Sequence, residues 1–364
     1  MNGMFSFGGR KLAIGAVLLF GLASLTFWVN YAIPQDSGMF ILGNISNPTR
    51  EQVQEANHRL GVDRPALVQY GDFVGHLARG DLGISWTTAV YTTDEGVVGE
   101  SVAGIVLRAA AVTGSLVLGG VLLLVALVLP LGPFLASRSG STLDRAILLV
   151  TLAFVSTHPL VAALLLQLLV GRKLGWLPDQ GYCPFFGDTG TTGTATIGIG
   201  SGVAECGGPI DWASHLLLPW LSFSLLFLAL YLRQIRTQSS SVLREPFINV
   251  ARAKGASERR VLSRHVVPSV LAVVVVMVAM DVGTALGVAL FIEVVYGLPG
   301  LGRQLIIALQ GFAGFDRPVI VGIVLVTGAV VILANLAADV LVGVIDPRAR
   351  TGGGRGARLG AGDT

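Results

Sequence analysis

The sequence predicts an all-α polytopic membrane protein with six transmembrane helices, and three observations predict it. Of the 364 residues, 52% are hydrophobic and only 13% are charged, with a mean hydropathy of +0.72. A soluble domain carries about 25% charged residues. Six stretches also reach the ~20 apolar residues that a ~30 Å hydrocarbon core requires. Finally, the arginines gather in alternate connections, as the positive-inside rule demands of a chain that crosses repeatedly.

The spans are placed at residues 12–32, 112–136, 146–170, 216–232, 266–295 and 319–345. Pro130 and Pro133 are expected to kink or end the second span. The fifth is long enough to tilt or to break at its glycines. With both termini cytoplasmic, the inner segments hold Arg10 and Lys11, then Arg138 and Arg145. The third inner loop adds Arg233, Arg236, Arg244, Arg252, Lys254, Arg259, Arg260 and Arg264, and the tail adds Arg348, Arg350, Arg355 and Arg358. These are sixteen of the 25 lysines and arginines. Five of the other nine sit in one long loop, where the rule counts little. The first span resembles a secretory signal but is too long and lacks a small-x-small cleavage site, so it reads as a retained anchor. The net charge of +3 comes from loop arginines. No basic face interleaved with aromatics points to nucleic acid.

The organisation is therefore an N-terminal segment with the first span (1–33), an extracytoplasmic segment (34–111), a membrane core (112–346) and a tail (347–364). In the extracytoplasmic segment, Thr49-Arg-Glu-Gln52 fits a capping box, and Val53, Ala56 and Leu60 repeat at helical spacing before Gly61. An amphipathic helix pair on the outer membrane face is expected. The outer loop 171–214 carries both cysteines, Cys183 and Cys206, for which a disulfide is expected on an oxidising side. Such a closure stabilises by roughly 3 kcal/mol in the chain-entropy model. Two free thiols are the alternative, and His158 and His215 are not spaced as metal ligands beside them. The tail is Gly- and Arg-rich and is expected to be disordered.

Chemistry is sparse. No phosphate-binding Gly-x-x-x-x-Gly-Lys loop, no zinc His-Glu-x-x-His helix and no Gly-x-Ser-x-Gly elbow occurs, so neither a catalytic nor a metal site is expected in this chain. The ionisable residues within spans are His158, Asp281, Glu293 and Asp339. Such groups are functional by default. Asp281 is the foremost, flanked by Val278, Met280 and Val282, with Gly283 and Gly287 nearby for close helix approach. It either lines a water-filled pathway or bonds to a neighbouring helix. Glu293 and Asp339 read as solvated span ends, and His158 as a partner for a carbonyl freed by Pro159.

The loop 247–268 differs from a plain connection. Small residues (Ala251, Ala253, Gly255, Ala256) alternate with arginines in a helix-compatible stretch, which suits a short helix that another protein packs against closely. Ala251-Arg-Ala-Lys-Gly255, Glu258-Arg-Arg-Val261 and Arg264-His265 are followed by Glu293-Val-Val-Tyr-Gly-Leu-Pro-Gly-Leu-Gly302, Asp316-Arg-Pro318 and Asp346-Pro-Arg348. Upstream lie Leu60-Gly-Val-Asp-Arg-Pro65, Gly80-Asp-Leu-Gly83, Leu143-Asp-Arg145 and Leu174-Gly-Trp-Leu-Pro178. In this order and spacing the chain resembles the permease subunit of a binding-protein-dependent ABC importer, in the dipeptide/oligopeptide/nickel branch.

The resemblance implies an importer-permease bundle whose cytoplasmic loop (235–265) couples to a separate ATPase. Gly255 would stand at the family's glycine turn, and Ala251 and Ala253 at the small contact positions. Arg252, Lys254, Glu258, Arg259 and Arg260 would form the charged rim, although anionic lipid could engage some of these arginines. It also implies a second homologous permease, two ATP-binding subunits holding ATP and Mg, and an extracytoplasmic substrate-binding protein, all at the plasma membrane. The cargo implied is di- or oligopeptides, with nickel or another small solute as the alternative. The family's signature begins Glu-Ala-Ala, whereas Asn249-Val250-Ala251 stands here, so no glutamate contact is implied. The outer loop also exceeds the short connection expected. A self-sufficient secondary transporter would show inverted repeats and more intramembrane charge, and neither is seen.

Overall fold

A computed structural model describes residues 2–33, 37–38, 42, 49–92, 96–186, 208–310 and 315–345. Apart from one short hairpin, the regular secondary structure among the described residues is helical. In chain order the helices are α1 (Asn2–Ala32), α2 (Arg50–Leu60), α3 (Ala66–Ala78), α4 (Val102–Ser137), α5 (Thr142–Val155) and α6 (Pro159–Leu166). They continue as α7 (Pro209–Val242), α8 (Pro246–Ala253), α9 (Glu258–Val261), α10 (Val267–Met280), α11 (Val282–Tyr296), α12 (Leu301–Leu309) and α13 (Arg317–Ile345). Wider, π-type turns prolong α6 over Gln167–Lys173 and join α9 to α10 over Leu262–Val266. Strands β1 (Val90–Thr92) and β2 (Gly96–Val98) pair antiparallel, with Tyr91 opposite Val97.

Among the described residues, five helices are long and apolar enough to cross a membrane, and two bent pairs could each supply one more crossing. The chain is an all-helical, multi-pass membrane protein. Three details of the spans differ from the sequence expectation. α4 begins ten residues early, at Val102, and runs through Pro130 and Pro133 to Ser137, so the prolines do not end it. The third span is broken, with α5 and the α6 segment meeting at 113°. The fifth stretch is interrupted at Asp281 rather than at its glycines.

The chain divides into two compact units. The first comprises Met1–Ser115, Gln180–Cys206 and Ala289–Val330. In it, Val102, Ile105, Val106 and Ala109 of α4 pack with Leu301, Ala308, Val319, Ile320 and Ile323. The helix pair expected within residues 34–111 is present. Thr49 caps α2 with both bonds of a capping box, and Gly61 closes it at φ 68°. α3 is held to α1 by an aromatic group of Phe27, Trp28, Tyr70 and Phe73, with the Tyr70 hydroxyl 2.8 Å from Ser24 Oγ. An amphipathic stretch finds its place there because its apolar side meets aromatic rings at the end of a span.

The second unit comprises Leu116–Asp179, Gly207–Val288 and Val331–Thr364. α7 is its centre, burying Leu216, Phe223, Phe227, Tyr231 and Ile235. Helix α4 lies against it so closely that a Cβ on Gly119 would fall 2.1 Å from the Trp220 ring, and one on Gly132 would fall 2.5 Å from Ile235. Glycine lets the two backbones approach. The contacts also fix direction: thirteen residues along α4 match fifteen along α7 in the same sense, so the two helices run parallel. The chain between them must therefore come back along α7, and the bent α5–α6 segment does so, with Asp144 beside Arg236 and Gly171 beside Leu218.

Candidate functional site

The basic loop folds into two short helices around one glycine. Glu245 is extended and Pro246 occupies the first turn of α8, where its missing N–H is harmless. At the other end the Gly255 N–H donates to the Arg252 carbonyl at 2.9 Å, and the Ala256 N–H donates to the Ala251 carbonyl at 3.1 Å. This pair of bonds is a Schellman closure, which requires a left-handed residue. Gly255 supplies it at φ +83°.

The turn is tied on both sides. Arg252 donates from Nε and Nη2 to the two Glu258 oxygens, at 2.8 and 3.2 Å, stapling α8 to α9. Both side chains are exposed, so the pair contributes at most about 1 kcal/mol. Ile248, Val261 and Val266 are wholly buried and anchor the loop, while the Phe247 and His265 rings meet edge-on at 6.2 Å. The outward face of α8 is left bare: Phe247 is 48% and Val250 54% exposed, with Ala253 and Lys254 beside them. Arg259 and Arg260 are also exposed, with no ion-pair partner among the described residues. A Cβ on Gly255 would meet nothing within 4 Å. The structure thus gathers Ala251, Arg252, Ala253, Lys254, Gly255 and Glu258 around one exposed turn.

The other candidates lie elsewhere. Asp281 sits at the break between α10 and α11, half-buried, and accepts a hydrogen bond from the Tyr231 hydroxyl at 2.8 Å. Cys183 is buried and disulfide-bonded. Its expected partner, Cys206, lies outside the described residues, as do the Asp339 side chain, the tail and the glycine-threonine run from Gly187. No cluster of three or more potential metal ligands occurs among the described residues.

Glu293 requires a correction: it is no solvated span end but 0% exposed. It accepts hydrogen bonds from Thr113 Oγ1 at 2.5 Å and from the backbone N–H groups of Gly302 at 2.8 Å and Arg303 at 3.3 Å. Burial is tolerated because the carboxylate takes up donors that the first turn of α12 would otherwise leave unpaired.

Two further buried carboxylates stand above only within family motifs, with no role assigned to them. Asp316 caps α13 and binds Ser85 Oγ at 2.6 Å and the Thr87 N–H at 2.8 Å. Asp144 takes the Gly140 N–H at 2.9 Å and Arg236 Nη2 at 2.7 Å. Their capping roles were legible: Asp316 precedes Arg-Pro at a helix start, and Ser141-Thr-Leu-Asp144 has capping-box spacing. Their partners 231 and 92 residues away were not.

The model of the family described as "Binding-protein-dependent transport system inner membrane component" matches residues 128–351. A companion model for the N-terminal part of such membrane components matches residues 4–91. The chain belongs to this family. Its members are the membrane permease components of ABC importers, which in general work with a partner ATPase and a substrate-binding protein. The permease is 34% identical over 348 residues to the "Di/tripeptide transport system permease protein DppB" of Pseudomonas aeruginosa (strain UCBPP-PA14), covering 95% of this chain and 99% of that one. It is 31% identical over 350 residues to the "Dipeptide transport system permease protein DppB" of Escherichia coli (strain K12), with the same coverage. A protein of the latter name from Alkalihalophilus pseudofirmus is 29% identical over 353 residues.

Proposed function

We propose that this permease forms one half of a heteromeric pore for di- or oligopeptides and receives the ATPase stroke through the turn at Gly255. A second homologous permease completes the pore, two ATPase subunits binding ATP and Mg dock on the loop, and an extracytoplasmic binding protein delivers cargo. Both termini are cytoplasmic on this reading, and Cys183 pairs with Cys206 in the outer loop. The observation that carries the docking role is the turn itself. A Schellman-closed glycine with open space around it ends a short helix whose exposed face is apolar (Phe247, Val250) and whose inner face is anchored by Ile248. Such a face is solvated at a cost unless a partner covers it. The peptide cargo rests on what the relatives are named for.

Two variants test the docking. Gly255→Ala adds only the left-handed strain of a Cβ, roughly 1–2 kcal/mol, and is expected to keep most transport. Gly255→Trp fills the space a partner needs, and is expected to insert normally yet lose transport and its link to ATP hydrolysis. Normal peptide uptake by the tryptophan variant would refute the docking role.

A further inference from the structure

The broken third span has no counterpart in what the docking loop requires. Near one end, Asp144 pairs with Arg236 of α7, and near the other a Cβ on Gly171 would lie 3.5 Å from Leu218 of the same helix. Arg236 and Leu218 are eighteen positions apart, about 27 Å at ~1.5 Å per residue, close to the ~30 Å hydrocarbon thickness. The gap Ser156–His158 begins twelve residues after Asp144 and ends thirteen before Gly171, which puts it at mid-depth. There α5 and α6 turn through 113°.

The bend holds itself together. Ser156 Oγ donates to the Leu152 carbonyl at 3.0 Å and Thr157 Oγ1 donates to the Ala153 carbonyl at 2.9 Å. His158 Nδ1 accepts from the Leu160 N–H at 3.3 Å, while Pro159 has no N–H to offer the Val155 carbonyl. Ser156 and His158 are nevertheless exposed, and Thr157 is half-buried. Non-helical backbone at mid-membrane is not stable against lipid, and persists only where protein covers it or water reaches it. The hydroxyls already donate inward, so what they present outward is acceptor lone pairs, which water satisfies freely. The surrounding exposed side chains, Leu149, Val150, Leu152, Leu160 and Val161, are apolar and suit lipid or a dry helix contact.

We infer that Ser156, Thr157 and His158 form a polar step lining the water-filled route that cargo crosses, an assignment that rests on the transporter reading above. The test uses the assembled transporter in membrane vesicles, with Ser156→Cys and His158→Cys each exposed to a cationic, membrane-impermeant methanethiosulfonate. Leu149→Cys, among the exposed apolar side chains of α5, serves as the control, and the unsubstituted chain gives the background. Because a charge at the bilayer centre is disfavoured by about two powers of ten, both step thiols are expected to react roughly a hundredfold faster than the control. Rates no faster than at Leu149→Cys in both variants would overturn the inference. Rapid labelling combined with normal transport by Gly255→Trp would instead sink the docking role and leave the polar step standing.

Discussion

Thr113 Oγ1 stands between Glu293 and the start of α12, donating to the carboxylate at 2.5 Å and accepting from the Leu301 N–H at 2.9 Å. One hydroxyl and one buried carboxylate thus satisfy the first three N–H groups of that helix, at Leu301, Gly302 and Arg303. Gly300 makes room for this, because a Cβ there would lie 2.2 Å from Glu293 Cδ.

Removing either partner strands buried donors, at about 1–3 kcal/mol for each unsatisfied group. Thr113→Val is expected to lower stability by that amount, and Glu293→Ala by more, since it also opens a cavity. The double variant is expected to be less destabilised than the sum, by roughly 0.5–3 kcal/mol of coupling. Thermal unfolding of the detergent-solubilised protein measures this, and strict additivity would count against a shared network.

Asp144 and Arg236 tie the start of α5 to α7, and Asp144 Oδ1 and Arg236 Nε have no hydrogen-bond partner among the described residues. Asp144→Ala leaves the guanidinium part-buried and uncompensated, at about 3 kcal/mol or more. Adding Arg236→Met is expected to recover part of the loss, because an apolar replacement removes the stranded charge. The same unfolding assay decides it: a double variant no more stable than Asp144→Ala would contradict the pair.

Tyr231 and Asp281 separate two roles for the aspartate. If the hydrogen bond from Tyr231 is its main function, Tyr231→Phe and Asp281→Leu are expected to impair uptake to a similar degree. A path-lining aspartate predicts that Asp281→Leu loses uptake while Tyr231→Phe keeps it. Given the 2.8 Å bond, the expected outcome is the first.

Between α2 and β1 two carboxylates are held below their ordinary value of 3.8. Asp63 is lowered chiefly by the hydrogen bond from His58, and Asp81 chiefly by the Gly83 N–H and then by His76. A depressed acid stabilises the fold above its unfolded pKa and loses that contribution as pH falls through the folded one. Loosening of residues 58–83 is therefore expected only below about pH 4, read as protease cleavage within that stretch. Cleavage already rising between pH 7 and 5 would place its cause elsewhere.

Local signals carried far. The capping box at Thr49 and the stop at Gly61 were legible, because each is set by residues within a few positions, and the turn at Gly255 was expected from the family resemblance and is closed by equally local bonds. Span breaks were less so. Pro130 and Pro133 looked disruptive yet are absorbed within α4, whereas Ser156–Pro159, inside an unbroken hydropathy run, turns the chain through 113°.

The sequence by itself determined that the chain crosses a membrane repeatedly, which loop is basic and small-residue-rich, and that Gly61 ends a helix, since hydropathy and backbone restriction are properties of neighbouring residues. Only the tertiary structure decided that Glu293 is a buried cap rather than a wet span end, that Asp281 answers to Tyr231, and that α4 and α7 run parallel. The physical reason is the same in each case. A polar group in an apolar chain is settled by whichever partner desolvation forces upon it, and at Thr113, Arg236 and Tyr231 that partner lies 50 to 180 residues away.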